Sequence, residues 1–394
     1  MAETQHTQLV CYTLLCILVM AILVKLKHMR ASASRLNLPP GPWVLPVIGH
    51  MHLLLGAIPY QAMHRLARQH GPVMLLRLGH VPTLVLSSAE AAREVMKVHD
   101  AAFADRPVYA TADIFTYGGE DISFARHDSR HWKALRKLCA VELLSPRRVR
   151  SFRHVREEEA ARLVLSVAGA GRIVNVGDML KVMMNDVVMR DLFAAGSETT
   201  ATTTIWAMSE LMRSPHIMAA AQSEVRRVLH GKTEVTEADI DGRLHYLQMV
   251  IKETFRLHPP VPLLMPRLCT EQTKVMGYDI PQGTTVFVNV SAIGRDEKSW
   301  TNASEFMPKR FDGEKVDYGG TDFRFLPGGA GRRMCPGMMF GVSNIEMALA
   351  SLLYHFDWKL PEGGNPETLD MSEAYGITAR RRTELVLEAT VFVP

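Results

Sequence analysis

The sequence has little surplus charge, few cysteines and no repetition. Its 45 Lys and Arg nearly balance 41 Asp and Glu, a net of +4 over 394 residues. That is too mild for a surface that grips nucleic acid through its phosphates. There are only five cysteines. Cys11 and Cys16 share an apolar run, and Cys139, Cys269 and Cys335 lie far apart. An odd number without regular spacing excludes a disulfide framework. It fits a reducing compartment, where a thiolate stays free to bind metal. No internal repeat and no low-complexity stretch is present. The hydrophobic share of 47% against 22% charged supplies a real core. The length allows one large domain or two ordinary ones.

Lys and Arg are also missing ahead of the apolar run Leu9 to Val24, which only Thr13 interrupts mildly. The run is short for a span, but Lys25 and Lys27 can snorkel. Ala31-Ser32-Ala33 resembles a signal-peptidase site. The charge order argues against a cleaved signal, because Glu3 precedes the run while Lys25, Lys27 and Arg30 follow it. The positive-inside rule then puts the N-terminus in the lumen and the rest in the cytosol. The expected organisation is a membrane anchor over 1–26, a basic and Pro-rich hinge over 27–45 and a catalytic domain over 46–394. Pro39-Pro40-Gly41-Pro42 is the stiff part of that hinge.

Along the rest of the chain, periodicity predicts helix over Gln61–His70, a hairpin from Val73–Leu78 and Thr83–Ser87, and helix over Ala89–Val98. Residues 129–213 read as mostly helical. Leu244–His258 is a helix stopped by Pro259-Pro260. Short strands follow at Lys274–Met276 and Thr285–Asn289, irregular chain over 301–337, a helix over Gly337–Tyr354 and a strand over Glu384–Phe392. The fold class is mostly α with a small β part, α+β.

The most informative stretch is Phe325-Leu-Pro-Gly-Gly-Ala-Gly-Arg-Arg-Met-Cys-Pro-Gly337. It sets a cysteine in a glycine-rich loop beside two arginines and just before a long helix. The arginines and the helix N-terminus both favour the thiolate, and the glycines admit a flat ligand close to the backbone. A phosphate loop is excluded because no Gly-Lys-Ser/Thr follows. The loop resembles the haem-binding loop of the cytochromes P-450, and details resemble the plant microsomal type. Gly331, Arg333, Cys335 and Gly337 fill the family's fixed steps, whereas Gly328 stands where the family carries Phe.

Three further motifs take their meaning from that resemblance. Glu253-Thr-Phe-Arg256 puts a carboxylate and a guanidinium on one helix face. The same spacing recurs at Glu90/Arg93, Glu159/Arg162, Glu210/Arg213 and Glu224/Arg227, so spacing alone decides nothing. With Arg310 of Phe306-Met-Pro-Lys-Arg310-Phe311, the resemblance implies a buried Glu253–Arg256–Arg310 network bracing the loop before Cys335. Ala195-Gly-Ser-Glu-Thr-Thr200 resembles the oxygen-activation motif. There Glu198 and Thr199 form an acid–alcohol pair for proton relay, and the Thr199 hydroxyl is expected on the Ala195 carbonyl. Trp132-Lys-Ala-Leu-Arg136 and Arg267 resemble the partners of the haem propionates. The basic set Arg130, Lys133, Lys137, Arg147, Arg148 and Arg150 resembles the surface on which an acidic reductase docks.

The resemblance implies a haem-thiolate monooxygenase anchored in the endoplasmic reticulum membrane, in contact with its lipid. Haem b is held by Cys335, and electrons come from NADPH through NADPH-cytochrome P-450 reductase. One oxygen atom of O2 enters a hydrophobic small molecule, and nucleic acid has no part. The chain also departs from the family. Chains of that family run to roughly 500 residues, so roughly 100 have no counterpart here. The gap falls between Arg190 and Asp191, where the family's substrate-roof helices belong. A second reading is therefore an inactive truncated or spliced product that binds haem poorly. Read naively, Asp178 to Met212 is one long helix. Otherwise the seam unwinds and the two halves reverse.

Overall fold

The computed structural model describes residues 36–393 apart from 110–112, 115, 117, 192–195 and 375, together with positions 13, 17 and 20. Apart from those three positions, the expected anchor and the hinge up to residue 35 lie outside the described residues. Among the described residues no helix is long and apolar enough to cross a membrane. The Pro-rich segment lies along the first sheet: the Pro40 carbonyl accepts from the Leu75 amide at 2.9 Å, and Asn37 bonds Asp279. Gly41 is required there, because a Cβ would sit 2.2 Å from the Leu75 carbonyl oxygen.

The first helix, α1 (Pro59–His70), opens on a proline whose fixed φ suits a helix start. It buries Tyr60, Met63 and Ala67 and ends at Gly71, with φ +100. The hairpin of β1 (Val73–Leu78) and β2 (Val81–Leu86) follows. Next comes α2 (Ala89–Arg93), whose N-cap Ser88 accepts from the Ala91 amide, and which passes into a π turn over Glu94–Val98. Ser129 likewise caps α3 (Arg130–Leu138), and Ser145 caps α4 (Pro146–Ser151). After α5 (Arg153–Gly169) and the short β3 (Ile173–Asn175) come α6 (Val176–Asp191) and α7 (Ser197–Arg213). The chain continues through α8 (Pro215–Val228), α9 (Glu237–Ile240) and α10 (His245–Leu257). Strands β4 (Arg267–Leu268), β5 (Thr273–Val275), β6 (Tyr278–Ile280) and β7 (Thr285–Val288) lead to α11 (Val290–Ile293). The last elements are α12 (Met338–His355), β8 (Phe356–Lys359) and β9 (Val386–Val391).

The mixed sheet runs β1-β2-β7-β4, with β2 and β7 parallel and the outer pairs antiparallel. A second sheet, β3-β9-β8, is antiparallel, and β5 pairs β6. The largest core joins Leu180 and Met184 of α6, Met208 and Leu211 of α7, Val250 and Ile251 of α10, and Ile345 and Leu349 of α12. Helices thus form the body and the mixed sheet flanks it, as an α+β fold requires.

The seam departs from the one-helix expectation. The helix does not run through: α6 stops at Asp191, α7 starts at Ser197, and the two pack along each other. A Cβ on Gly196 would lie 3.5 Å from Val188, so the end of α6 sits at the start of α7. Val187 and Val188 are buried against Val149 and Phe340. Burying this apolar face outweighs the local preference for a continuous helix.

Candidate haem site

Cys335 lies between a 3-10 turn over Gly331–Arg333 and the start of α12. Its amide donates to the Gly328 carbonyl at 2.8 Å. The residue is exposed on one side and tightly packed on another, where a Cβ on Gly328 would fall 3.2 Å from its Cβ and 3.0 Å from the Met338 sulfur. The Met338 thioether therefore takes the space that a side chain at 328 would need. Gly331 is required twice over, because its φ is +70 and a Cβ would meet the Met96 carbonyl oxygen at 2.4 Å. Nothing comparable constrains Gly337, whose added Cβ meets open space.

The arginines act differently from the sequence expectation. Arg332 turns to Asp100, at 3.0 Å. Arg333 donates to the carbonyls of Ala104, at 2.6 Å, and Ala125. The cation that bears on the sulfur is Arg136, which also donates to the Met334 carbonyl at 2.9 Å. Burial pushes the Cys335 thiol up, and the Gly337 amide and Arg136 offset only part of that. The loop alone does not make a thiolate, and a bound cation is needed to hold one.

Beside the loop lies a knot of guanidiniums. Arg333 stacks 4.6 Å from the Trp132 ring and Arg136 lies 5.7 Å from it, while the indole donates to the Ile122 carbonyl at 3.0 Å. Arg267 is buried and bonds Asp100 at 3.1 Å and the Ala330 carbonyl at 2.8 Å. Sequence reasoning missed Arg106, which donates to the carbonyls of Met265 at 2.7 Å and Pro266 at 2.8 Å. Among the described residues no carboxylate lies within ion-pair range of Arg106, Arg136 or Arg333. Burial, then repulsion from Arg267 and Arg333, holds Arg106 down to about 9. Burial chiefly holds Arg333 to about 10. Positive charge packed with so few counter-ions suits a ligand that brings carboxylates to the arginines and a metal to the sulfur.

The other motifs fall around this site. Glu253 is fully buried and accepts from Arg256 Nε and Nη2 at 2.7 Å, from Arg310 Nε at 2.9 Å and from the Met307 amide at 2.7 Å. Arg256 also donates to the carbonyls of Ala303 and Glu305, so the network ties α10 to residues 303–310. On α7 the Thr199 hydroxyl bonds the Gly196 carbonyl at 3.3 Å; the expected partner, the Ala195 carbonyl, lies outside the described residues. Thr200 bonds the same carbonyl at 2.5 Å, because Gly196 is where the helix begins. Thr200 is also 3.6 Å from the Cβ position of Gly341, which sets the start of α7 against the helix that follows Cys335. Glu198 is exposed and accepts from the Thr378 hydroxyl at 2.7 Å, a partner that no spacing signalled.

The cytochrome P450 family model matches residues 39–193 and 186–386. The chain belongs to the cytochrome P-450 family. It is a P-450 monooxygenase by its relatives. A zealexin A1 synthase of Zea mays is 41% identical over 94% of this chain and 95% of the relative. A dolabradiene monooxygenase of Zea mays is 40% identical over 93% and 95%. A premnaspirodiene oxygenase of Hyoscyamus muticus is 36% identical over 93% and 95%. A zebrafish cytochrome P-450 solved with abiraterone has the same fold, with a TM-score of 0.74 at 22% identity, over 85% of this chain and 99% of that one. P-450 proteins hold haem through a cysteine thiolate, and the donor set described above fits that group. The two family matches meet at 186–193, and the first alignment needs 483 positions for a chain of 394. A stretch of the P-450 fold is therefore missing at the seam between α6 and α7.

Proposed function

We propose that this chain carries a haem-thiolate monooxygenase site for apolar, terpenoid-like molecules, with Cys335 as the iron ligand and an unroofed distal side. The observation that carries the reading is Cys335 in its glycine-rich loop beside Arg106, Arg136 and Arg333, none of which has a carboxylate within ion-pair range among the described residues. Trp132, Arg136, Arg267, Arg333 and the newly found Arg106 would take the two propionates, exchanging the carbonyls they now bond. Gly331 and Gly337 would keep the loop close to the ring. Bound haem supplies the dioxygen chemistry, and a thiolate ligand favours O–O cleavage. Thr199 and Glu198 manage protons on the opposite side, with Thr378 holding the Glu198 carboxylate. Glu253, Arg256 and Arg310 are structural. The relatives' names, for dolabradiene and premnaspirodiene, support an apolar substrate. So do Val108, Ile114 and Ile377, large apolar side chains at least 78% exposed near Arg106 and Thr378.

Electrons would come from NADPH through the membrane-bound reductase. Arg130, Lys133 and Lys137 on α3 and Arg147, Arg148 and Arg150 around α4 are all exposed, which supports docking by an acidic partner. Thr199→Ala is expected to leave haem binding intact, to cut product formation by about 100-fold and to release peroxide instead, because protons arrive mistimed. The assay is peroxide and product per NADPH in a form with its roof restored. Equal coupling in variant and parent removes Thr199 from the mechanism.

Attachment to the endoplasmic reticulum membrane would use residues 1–26, with 27–45 as hinge and the catalytic domain from 46 facing the cytosol. Trp43, Val47, Ile48, Met51 and Leu55 support a second contact, since all are large, apolar and at least 44% exposed. Deleting 1–26 is expected to release the protein from microsomes only in part, yet more completely than in a relative that keeps its roof. Adding Trp43→Ser and Leu55→Ser should complete the release. Retention equal to the intact chain's, measured by sedimentation, contradicts this.

The second reading, an inactive truncated product, is favoured by one observation, the break in the family match at 186–193. The two readings share the site and differ only in turnover.

A further inference from the structure

Asp100 lies in the turn that follows the π turn over Glu94–Val98, and its side chain is buried. Among the described residues it is the one carboxylate within ion-pair range of Arg106, Arg136, Arg267, Arg332 or Arg333. Oδ1 accepts from Arg267 Nη1 at 3.1 Å, and Oδ2 accepts from Arg332 Nη1 at 3.0 Å. Oδ2 also accepts from the Arg332 main-chain amide at 3.0 Å. Arg267 extends the hold, since its Nη2 donates to the Ala330 carbonyl at 2.8 Å. Residues 330–332 of the Cys335 loop are thus tied to one buried carboxylate. No sequence motif pointed to it, because its partners lie far along the chain.

A counter-ion alone would need no fixed position, but this carboxylate is fixed by contact. A Cβ on Gly331 would fall 2.5 Å from Asp100 Oδ1 and 2.4 Å from the Met96 carbonyl oxygen. The carboxylate and the π turn therefore both press on the Cα of Gly331. The chain that carries Asp100 is held as well. The His99 amide closes the π turn on the Glu94 carbonyl at 2.8 Å, and the Phe103 amide donates to the Asp100 carbonyl at 3.3 Å. From Gly331 the constraint reaches the sulfur in a short step. The Met334 amide donates to the Gly331 carbonyl at 3.1 Å, which closes the turn, and Cys335 is the next residue. The Arg332 guanidinium adds little, since that side chain is 51% exposed. The buried bonds to the Arg332 amide and to Arg267 carry the hold.

We propose that Asp100 is a positioning residue for the iron ligand: it sets Gly331 and Arg332, and through them the place of the Cys335 sulfur. The purpose of this hold rests on the haem reading of Cys335, whereas its geometry does not.

The test compares Asp100→Glu, Asp100→Asn and Arg332→Gln in the full chain. Asp100→Glu keeps the charge that buried Arg267 needs, so the fold is kept. Its extra methylene cannot leave the oxygens in place against Gly331. Asp100→Asn keeps the size and loses the charge. Arg332→Gln keeps the main-chain amide and gives up only the half-exposed ion pair. The first readout uses the haem-free chain. It is the rate of Cys335 alkylation by iodoacetamide at one pH, located by peptide mass spectrometry. A rise of about 10-fold is expected in both Asp100 variants, and a change below about 2-fold in Arg332→Gln. Circular dichroism of Asp100→Glu should match the parent. The second readout is the reduced, carbon-monoxide-bound spectrum after reconstitution with haem. Both Asp100 variants should lose most of the red-shifted band, and Arg332→Gln should keep it. Alkylation of Asp100→Glu at the parent rate overturns the positioning role. So does an effect of Arg332→Gln as large as that of Asp100→Glu, which would put the hold in the surface pair. Faster alkylation in the Asp100 variants, with no red-shifted band even in the parent, would overturn the haem reading and leave the hold on Cys335 standing.

Discussion

Glu253→Gln is expected to lower the unfolding free energy by about 3–5 kcal/mol, the cost of leaving buried charge unmatched. Glu253 is fully buried and balances Arg256, itself fully buried at the side chain, and Arg310, which is 8% exposed. It also accepts from the Met307 amide, and both of its oxygens take donors, so the NH2 of a glutamine would face at least one donor with another donor. Since domains are stable by only about 5–15 kcal/mol, much of the protein should be unfolded or aggregated at physiological temperature. Glu90→Gln is the internal comparison. Glu90 has the same spacing to Arg93, but both are exposed and no ion pair joins them, so the change should stay within about 0.5 kcal/mol. Urea midpoints of the two variants measure the difference. Equal midpoints would show that the Glu253 network is decoration.

Inserting the missing roof segment of a full-length relative between Arg190 and Asp191 is the second large effect. The intact chain should retain haem poorly, because the stretch of the fold that belongs between α6 and α7 is missing. Val108, Ile114 and Ile377 then stand in solvent, and so do Val182 and Met189 on α6. With the roof in place, water is excluded, the apolar surface is buried and haem should stay bound through gel filtration. Turnover of an apolar terpenoid should rise from near zero to a readily measured rate. The check is haem per protein after gel filtration and product per haem, in both forms. Tight haem and well-coupled oxidation by the unmodified chain would make it a compact working enzyme and remove the truncated reading.

Much of this was legible because P-450 chemistry constrains residue types at fixed steps. The Cys335 loop, the Glu253–Arg256–Arg310 set and the helix of α12 follow from spacing together with context. Spacing fails where partners come from far along the chain. Arg106 precedes a proline and looks like any loop arginine. Its partners are the carbonyls of Ser123 and, some 160 residues on, of Met265 and Pro266. The same holds for Thr378 against Glu198. The expected Thr199 bond to Ala195 falls outside the described residues; the bond seen is to the Gly196 carbonyl, where α7 begins beside Val188. The charge logic at Cys335 was half right. A cation does face the sulfur, but it is Arg136 from another helix, while the adjacent arginines turn to Asp100 and to carbonyls.

The central claim is that Cys335 is the thiolate of a haem site. The most direct measurement is the reduced, carbon-monoxide-bound spectrum of the chain reconstituted with haem, beside that of Cys335→Ser. The account predicts the red-shifted band of thiolate ligation in the parent and its complete loss in Cys335→Ser, whose circular dichroism should be unchanged. A red-shifted band of equal intensity in the variant would contradict it.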